Sequence, residues 1–160
     1  TLHTNDAAGA VPRLIDIGVQ PFLISSALNV VIAQRLIRRV CEECVTERKI
    51  KPEELAKIKE VIAKIPADIT KDIKLDENTI LREGRGCEAC NNTGYKGRTG
   101  LFEVLVVGDA MKKLIHGGAS DREVKELALK EGMVTMEQDG VLKVLDGVTT
   151  LDEVERMTQE

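Results

Sequence analysis

The two stretches Cys41-Glu42-Glu43-Cys44 and Cys87-Glu88-Ala89-Cys90 contain all four cysteines of this 160-residue chain. Two thiolates three positions apart can reach one metal ion from a tight turn, and two such pairs complete the tetrahedral four-sulfur shell of structural zinc. Two local redox dithiols or four unrelated thiols are the less favoured interpretation, because random placement rarely leaves no cysteine over. The spacing therefore predicts one structural zinc ion bound by Cys41, Cys44, Cys87 and Cys90.

The loop between the two pairs is long. A site with four protein sulfurs has no open position for water or substrate, so we interpret the metal as structural rather than catalytic. Residues 45–86 separate the pairs, which exceeds the usual zinc-ribbon spacing. We expect the metal to close this loop at its base and the loop to be poorly packed without it. Helices in residues 120–160 should then stay mostly formed.

Composition limits the function classes. The chain is 42% apolar and 31% charged, which is typical of a soluble protein with one ordinary core. A net charge of −4 with two Phe, one Tyr and no Trp argues against a zinc-ribbon nucleic-acid binder, which needs a basic face and stacking rings. No apolar run is long enough to cross a bilayer. Cysteines that resemble metal ligands suit a reducing cytosol, and a start at Thr1 rather than Met favours a fragment.

Hydrophobic patterning predicts the main elements. A short helix is expected to end at Gly18, and Pro21 should open a helix over residues 22–40 that is apolar on almost every side up to Ala33. Such a helix is expected to be buried. Another helix should run from Pro52 to Pro66. The run 101–107 predicts a buried strand, and three capping boxes predict the starts of three C-terminal helices, at Ser120 with Glu123, Thr135 with Gln138, and Thr150 with Glu153.

These predicted elements do not complete a fold. A buried helix and an isolated strand lack partners, so we interpret residue 1 as lying partway through an α/β domain whose earlier strands are missing. The alternative is a self-contained α+β domain with strands that the pattern does not reveal.

Several motifs in order resemble one family. They are Thr1-Leu2-His3-Thr4-Asn5, then Ala33-Gln34-Arg35-Leu36 before the first cysteine pair, then Thr93-Gly94-Tyr95-Lys96-Gly97-Arg98-Thr99-Gly100 with Glu103, and finally Gly147-Val148-Thr149-Thr150. Together they resemble the secretion ATPases of type II secretion and type IV pilus assembly over essentially the whole chain. The four cysteines resemble the assembly and secretion enzymes rather than the pilus-retraction enzymes, which lack this loop.

The resemblance implies a hexameric motor with a RecA-like core, of which this chain is the C-terminal part. The implied division is 1–40 for the end of the RecA-like core, 41–93 for a tetracysteine metal-binding subdomain, 94–108 for a strand returning to the core, and 109–160 for a C-terminal helical bundle. Such a motor uses ATP and magnesium to drive assembly of pilin-like subunits.

The resemblance also nominates residues for nucleotide chemistry. His3 would be the His-box residue facing the terminal phosphate, where an imidazole can hydrogen-bond phosphate oxygens. Without the resemblance, the favoured interpretation of His3 is a loop histidine near a chain end with no role. Gln34, Arg35 and Arg98 are weaker candidates for contacting a nucleotide, and solvated arginines at a helix end or in a turn are the alternative.

The chain lacks one motif that ATP hydrolysis requires. No G-x-x-x-x-G-K-[ST] loop occurs in the 160 residues, so we predict that this piece does not hydrolyse ATP by itself. The implied partners are further copies in a homo-hexamer, an inner-membrane platform and cytoplasmic-ring proteins, with no nucleic acid and no direct membrane insertion. The implied location is cytoplasmic and peripheral to the inner membrane. The alternative function is a zinc-stabilised interaction module that docks on the platform without catalysis.

Overall fold

A computed structural model describes residues 2–158, where helices and strands combine as predicted for an α/β protein. Thr1, Gln159 and Glu160 lie outside the described residues. Thr1 begins the first family motif and the predicted range 1–40, and Gln159 and Glu160 end the predicted range 109–160. No helix within residues 2–158 has the length and apolar character to cross a bilayer. The elements in chain order are α1 (Ala10–Asp16), α2 (Pro21–Ala27), β1 (Val30–Val40), β2 (Val45–Lys49), α3 (Pro52–Ile62), α4 (Ala67–Thr70), β3 (Ile80–Gly84), β4 (Tyr95–Val106), α5 (Asp109–His116), α6 (Asp121–Lys130), α7 (Met136–Leu145) and α8 (Leu151–Thr158).

Contacts divide the chain into two compact units, each built from two segments. Unit 1 comprises Thr1–Gln34 and Phe102–Thr135, and unit 2 comprises Arg35–Leu101 and Met136–Glu160. Helices α5 and α6 therefore belong to unit 1, whereas α7 and α8 belong to unit 2. This grouping differs from the single helical range predicted over 109–160, and the four-part division of the chain stays a prediction.

The helix predicted over residues 22–40 is wrong from Leu28 onward. Helix α2 begins at a proline as predicted but ends at Ala27, and β1 occupies the rest of the segment. Leu28 already has extended backbone angles, with φ −82° and ψ 124°. The β-branched run that begins at Val30 favours a pleated backbone, because its side chains are stiff at χ1 and pack well on a sheet. The segment is a strand rather than a buried helix.

The strand predicted over residues 101–107 is longer than expected and has a partner. It forms the C-terminal half of β4, and β4 pairs with β1 in a two-stranded sheet. The backbone N–H of Val107 donates to the carbonyl of Asn29 at 2.9 Å, just before β1 begins. The apparently isolated strand therefore pairs with the segment that the pattern had assigned to a helix.

The core of unit 1 lies on one side of its strand segments. Side chains of β4 alternate, so that Leu105 and Val107 are buried while Phe102, Val104 and Val106 are exposed. Helices α1, α2, α5 and α6 and the segments that flank them supply the other buried residues of this cluster, which comprise Ala7, Ala8, Val11, Ile24, Met111, Ile115, Ala119, Val124, Ala128 and Met133. The sheet thus has one covered face, and its other face in unit 1 exposes apolar side chains.

The core of unit 2 joins the loop between the cysteine pairs to the last two helices. Strands β2 and β3 pair antiparallel, from Val45 opposite Gly84 to Lys49 opposite Ile80. The loop and the two helices then share one buried cluster, made of Ile50, Ile58 and Leu81 with Val141, Val144, Leu151 and Val154. From the sequence we expected the loop to pack independently of the C-terminal helices. The structure shows instead that the loop and these helices share one core.

Helix capping agrees with the sequence at two starts. Ser120 Oγ accepts from the N–H of Glu123 at 3.4 Å, and the N–H of Ser120 donates to the carboxylate of Glu123 at 2.9 Å. Thr150 Oγ1 accepts from the N–H of Glu153 at 3.4 Å. Gly132 follows α6 with a φ of 93°, a conformation that favours glycine and ends the helix.

Gly140 of α7 lies against Val154 of α8 and offers a test of this packing. A Cβ added at Gly140 would lie 2.5 Å from Val154 Cγ1, so Gly140→Ala is expected to lower the free energy of unfolding by about 1–3 kcal/mol through overpacking. Gly117→Ala is the matched control, because its nearest atom lies at 3.4 Å and its φ is −75°. Denaturant unfolding of both variants measures the difference, and equal effects would contradict this packing.

Candidate metal centre

The two cysteine pairs lie at the base of the loop between β1 and β4. Cys41 directly follows β1 and Cys44 directly precedes β2. Cys87 and Cys90 border a single turn of 3-10 helix, Glu88–Cys90, between β3 and β4. Each pair therefore sits in a tight turn, as the C-x-x-C spacing predicted.

The four sulfur atoms converge on one point. All four lie within 4.8 Å of one another. The Sγ atoms of Cys41 and Cys87 are 3.9 Å apart, those of Cys44 and Cys90 are 3.9 Å apart, and those of Cys87 and Cys90 are 3.8 Å apart. A tetrahedron with metal–sulfur bonds of about 2.3 Å has edges of about 3.8 Å. The four cysteines are therefore positioned to bind a metal ion.

Hydrogen bonds and burial shift the pKa values of Cys90 and Cys44 in opposite directions. The N–H groups of Cys87 and Gly94 donate to Cys90 Sγ at 3.2 and 3.3 Å. Burial alone would raise the pKa of Cys90, but these hydrogen bonds favour its thiolate and its pKa is lowered to about 6. At Cys44 burial prevails and raises the pKa to about 12. A divalent metal supplies the positive charge that lets all four bind as thiolates.

Close backbone contacts hold the second turn in place. A Cβ on Gly84 would collide with the backbone of Gly94, and a Cβ on Gly86 would lie 2.8 Å from the carbonyl oxygen of Asn92. The N–H of Cys41 donates to the carbonyl of Gly94 at 2.9 Å, and the N–H of Gly94 donates to Cys90 Sγ, so Gly94 connects the two cysteine pairs. The sequence showed a glycine-rich turn here but not which backbone segments it brings together.

The other nominated residues are placed as follows. His3 is exposed and precedes α1 in unit 1, and Gln34 is exposed on β1 in the same unit. Arg35 lies on β1 in unit 2, where its guanidinium donates to the carbonyl of Met157. Arg98 is exposed on β4 in unit 2. Their nucleotide roles stay predictions.

Sequence reasoning missed an ion cluster that Arg38 and Arg156 form around the buried carboxylate of Glu153. The carboxylate of Glu153 is fully buried and accepts from Arg38 Nη2 at 2.6 Å, Arg38 Nε at 3.0 Å and Arg156 Nη2 at 2.7 Å. The backbone N–H of Arg38 also donates to Glu153 at 3.0 Å. Burial opposes the charge, yet the hydrogen bonds from the two arginines lower the pKa of Glu153 to about 2. The capping pattern placed Glu153 at a helix start but gave no signal of this burial.

The same cluster connects α8 to the metal centre. The guanidinium carbon of Arg38 lies 4.2 Å from the ring centre of Tyr95, and the Tyr95 hydroxyl is 2.7 Å from Thr150 Oγ1. Thr149 Oγ1 donates to the carbonyl of Arg38 at 2.9 Å, and the N–H of Val40 donates to the carbonyl of Val148 at 2.9 Å. The turn before α8 is thus bonded to the strand that ends at the first cysteine.

Metal content is the direct test of this site. The purified chain is expected to hold one metal ion, with four sulfur ligands at about 2.3 Å by X-ray absorption. The four thiols should resist alkylation until a chelator is added. Cys41→Ser should lower the metal affinity, whereas Ser26→Ala, an exposed change in α2, should leave it unchanged. Four freely reactive thiols without metal would contradict the site and favour the redox interpretation.

Comparison with known proteins gives consistent matches along the chain. Residues 1–156 match the profile of a family described as Type II/IV secretion system protein. The type IV pilus assembly ATPase PilB of Thermus thermophilus is 47% identical over 160 residues, which are all of this chain and 17% of that protein. The type II secretion system ATPase E of Vibrio cholerae is 42% identical over 160 residues, which are 29% of that protein. The type II secretion system protein HxcR of Pseudomonas aeruginosa is 39% identical over 160 residues, 28% of its length. The chain therefore spans less than a third of these relatives.

Proposed function

Since this chain belongs to the type II/IV secretion system protein family, as its motifs predicted, we propose that it is the C-terminal part of a secretion or pilus-assembly motor. The motor is a homo-hexamer that couples ATP hydrolysis, with magnesium, to assembly of pilin-like subunits. Two of the similar proteins are a type IV pilus assembly ATPase and a type II secretion system ATPase, which supports this activity. They represent both branches, so the family alone does not select one.

The observation that carries the proposal is the match over the whole chain together with four converged sulfurs. The metal is zinc, and its role is structural, because four cysteine ligands leave no open coordination position. It fixes the loop between β1 and β4 against α7 and α8. The chain thus contributes a metal-fixed body to the motor rather than the phosphate-binding loop.

The uncovered apolar face in unit 1 supports a larger α/β core. Val30, Ile32, Phe102, Val104 and Val106 expose apolar side chains on neighbouring strands. Strands with apolar residues on both faces are typical of sheets covered on both sides. In the motor these strands extend a RecA-like sheet, and α5 to α8 form the C-terminal helical part.

The nominated polar residues have these roles in the proposal. His3 faces the terminal phosphate of ATP, and Gln34, Arg35 and Arg98 contact nucleotide or a neighbouring subunit. The motor works beneath the inner membrane through a platform protein and cytoplasmic-ring proteins, and it is itself cytoplasmic.

The two histidines of the chain provide a matched test of the proposed motor. In the full-length protein, His3→Ala is expected to lower kcat for ATP hydrolysis by about 10²-fold or more, because it removes a group that contacts the reacting phosphate. His116→Ala should leave kcat unchanged, since His116 is exposed at the end of α5. Phosphate release measures both. Equal rates in both variants would contradict the role of His3, and metal-dependent turnover by the isolated 160 residues would contradict their predicted inactivity.

A second candidate function is docking on the inner-membrane platform without catalysis. The metal-fixed loop favours it, because Val45, Ile69 and Ile80 expose apolar side chains there. Full-length protein that binds the platform but releases no phosphate with ATP and magnesium would favour docking over the motor.

A further inference from the structure

Glu103 is a buried carboxylate in a row of apolar side chains. It lies in β4 with 3% of its surface exposed, and its inward-facing neighbours Leu101, Leu105 and Val107 are apolar and buried. One oxygen of Glu103 accepts from the backbone N–H of Ala7 at 2.9 Å, across 96 positions of sequence. Burying a carboxylate opposes folding unless hydrogen bonds compensate, so core packing alone does not explain a glutamate here.

The segment that Glu103 contacts is fixed at further points. Ala7 and the residue after it have no exposed surface. Asp6 accepts from the N–H of Gly9 at 3.0 Å and forms an ion pair with Lys125 of α6 at 2.8 Å. Thr4 Oγ1 donates to the carbonyl of Asp6 at 3.0 Å. These bonds hold residues 4–9 against the helices and strand of unit 1.

His3 directly precedes this fixed segment and is itself exposed. An exposed side chain on a free backbone samples many positions, and ordering it costs conformational entropy at each use. Anchoring the backbone four residues later reduces that cost. The hydrogen bond at Ala7 therefore restricts the positions that the imidazole of His3 can occupy.

We propose that Glu103 is a positioning residue, which holds the segment that presents His3 by accepting the Ala7 N–H. This inference rests on the proposed function for the use of His3 at a phosphate. The positioning itself is a property of unit 1. It can be measured in the 160-residue chain without nucleotide.

A pair of substitutions separates positioning from packing. Glu103→Leu matches the apolar neighbours but removes the acceptor, so hydrogen exchange of the Ala7 amide should become about tenfold faster or more. Glu103→Gln keeps a carbonyl acceptor and should retain slow exchange at Ala7. Val104→Thr, an exposed change on the same strand, is the control. Amide exchange followed by NMR reports all three, and protection in α5 and α6 checks that unit 1 is folded.

The proposal is overturned if Ala7 exchanges equally slowly in Glu103→Leu and in the unchanged protein. It is also overturned if Glu103→Gln loosens Ala7 as much as Glu103→Leu, since an accepting oxygen would then not be what holds the segment. Faster exchange confined to residues near Ala7, with rescue by Gln, is the supporting result.

The full-length protein tests the link to His3. Glu103→Leu should lower kcat on the order of 10- to 100-fold, as expected for a misplaced catalytic group, with KM for ATP changed by less than about twofold. Combined with His3→Ala it should add no further loss. Additive losses would overturn the link. If His3→Ala leaves kcat unchanged, the role of His3 in the motor fails, while the Ala7 exchange still decides whether Glu103 positions the segment.

Discussion

Removal of the bound metal is expected to unfold the whole of unit 2, including α7 and α8, while α5 and α6 stay folded. From the sequence we expected the loss to be confined to residues 45–86. The shared core of unit 2 changes that expectation, because Ile58 and Leu81 of the loop pack with Val144 and Val154 of the last two helices. A loop that comes apart therefore uncovers both helices.

The free energy of metal binding is large enough to account for complete unfolding of unit 2. Structural zinc in small domains binds with an apparent free energy of about 10–16 kcal/mol at neutral pH. Whole domains are stable by only about 5–15 kcal/mol, so loss of the metal removes an amount comparable to the total. The hydrogen bonds between the turn before α8 and β1 should be lost in the same event, because they are made by Arg38 and Val40, directly before Cys41.

Hydrogen exchange with mass spectrometry checks this expectation. Chelation, or Cys87→Ser, should speed exchange in residues 45–86 and in 136–158, with little change in 109–130. A chelator already saturated with zinc is the control for non-specific effects. Fast exchange in residues 45–86 alone, with residues 136–158 still protected, would contradict the shared core. It would favour the expectation from sequence that only the loop depends on the metal.

Glu153→Gln is expected to lower the free energy of unfolding of the metal-bound protein by about 3 kcal/mol. The carboxylate of Glu153 is fully buried between Arg38 and Arg156. Its pKa moves from 4.5 to about 2, and a shift of that size corresponds to about 3 kcal/mol of preference for the charged form. Arg38 and Arg156 are 43% and 53% exposed, so solvent compensates part of their charge, and about 3 kcal/mol is the upper end of the expected loss.

Glu155→Gln is the matched control two residues along the same helix. Glu155 pairs with Lys57 at 2.8 Å, and the two side chains are 32% and 60% exposed, so neither is buried. Such a pair contributes about 0–1 kcal/mol. Denaturant unfolding of both variants measures the contrast, and similar losses would show that the arginines do not hold Glu153 as described.

The pH dependence of Glu153 follows from the direction of its shift. Because its pKa is lowered on folding, its contribution is complete above pH 4.5 and is lost as the pH falls toward about 2. Carboxyl 13C NMR should therefore find Glu153 still ionised at pH 4.5, where ordinary glutamates are half protonated. Half protonation of Glu153 at that pH would contradict its ion pairs with Arg38 and Arg156.

The segment of β1 shows where sequence reasoning reached its limit. A run with apolar residues on both faces has no visible alternation, so it reads equally as a buried helix or as a strand of a covered sheet. The structure shows the strand, with Ile37 buried while Val30 and Ile32 are exposed. Only pairing with β4 distinguishes the two readings, and that partner lies more than fifty residues away in sequence.

The convergence of the four cysteines was predictable because its signal is local. Spacing within each cysteine pair predicts the turn, and two such pairs with no cysteine left over predict one shared site. Glu103 and Glu153 were not predictable as buried groups. Their burial depends on amides and guanidinium groups that distant segments bring to them.

The sequence by itself therefore determined the family, the four-sulfur site and most helix starts, since each depends on residues close together in the chain. Only the tertiary structure decided that the loop shares a core with α7 and α8, and that Glu103 and Glu153 are buried and hydrogen-bonded to distant segments. The physical reason is that burial and charge compensation are properties of neighbours in space, and their energies are set by contacts that no local pattern records.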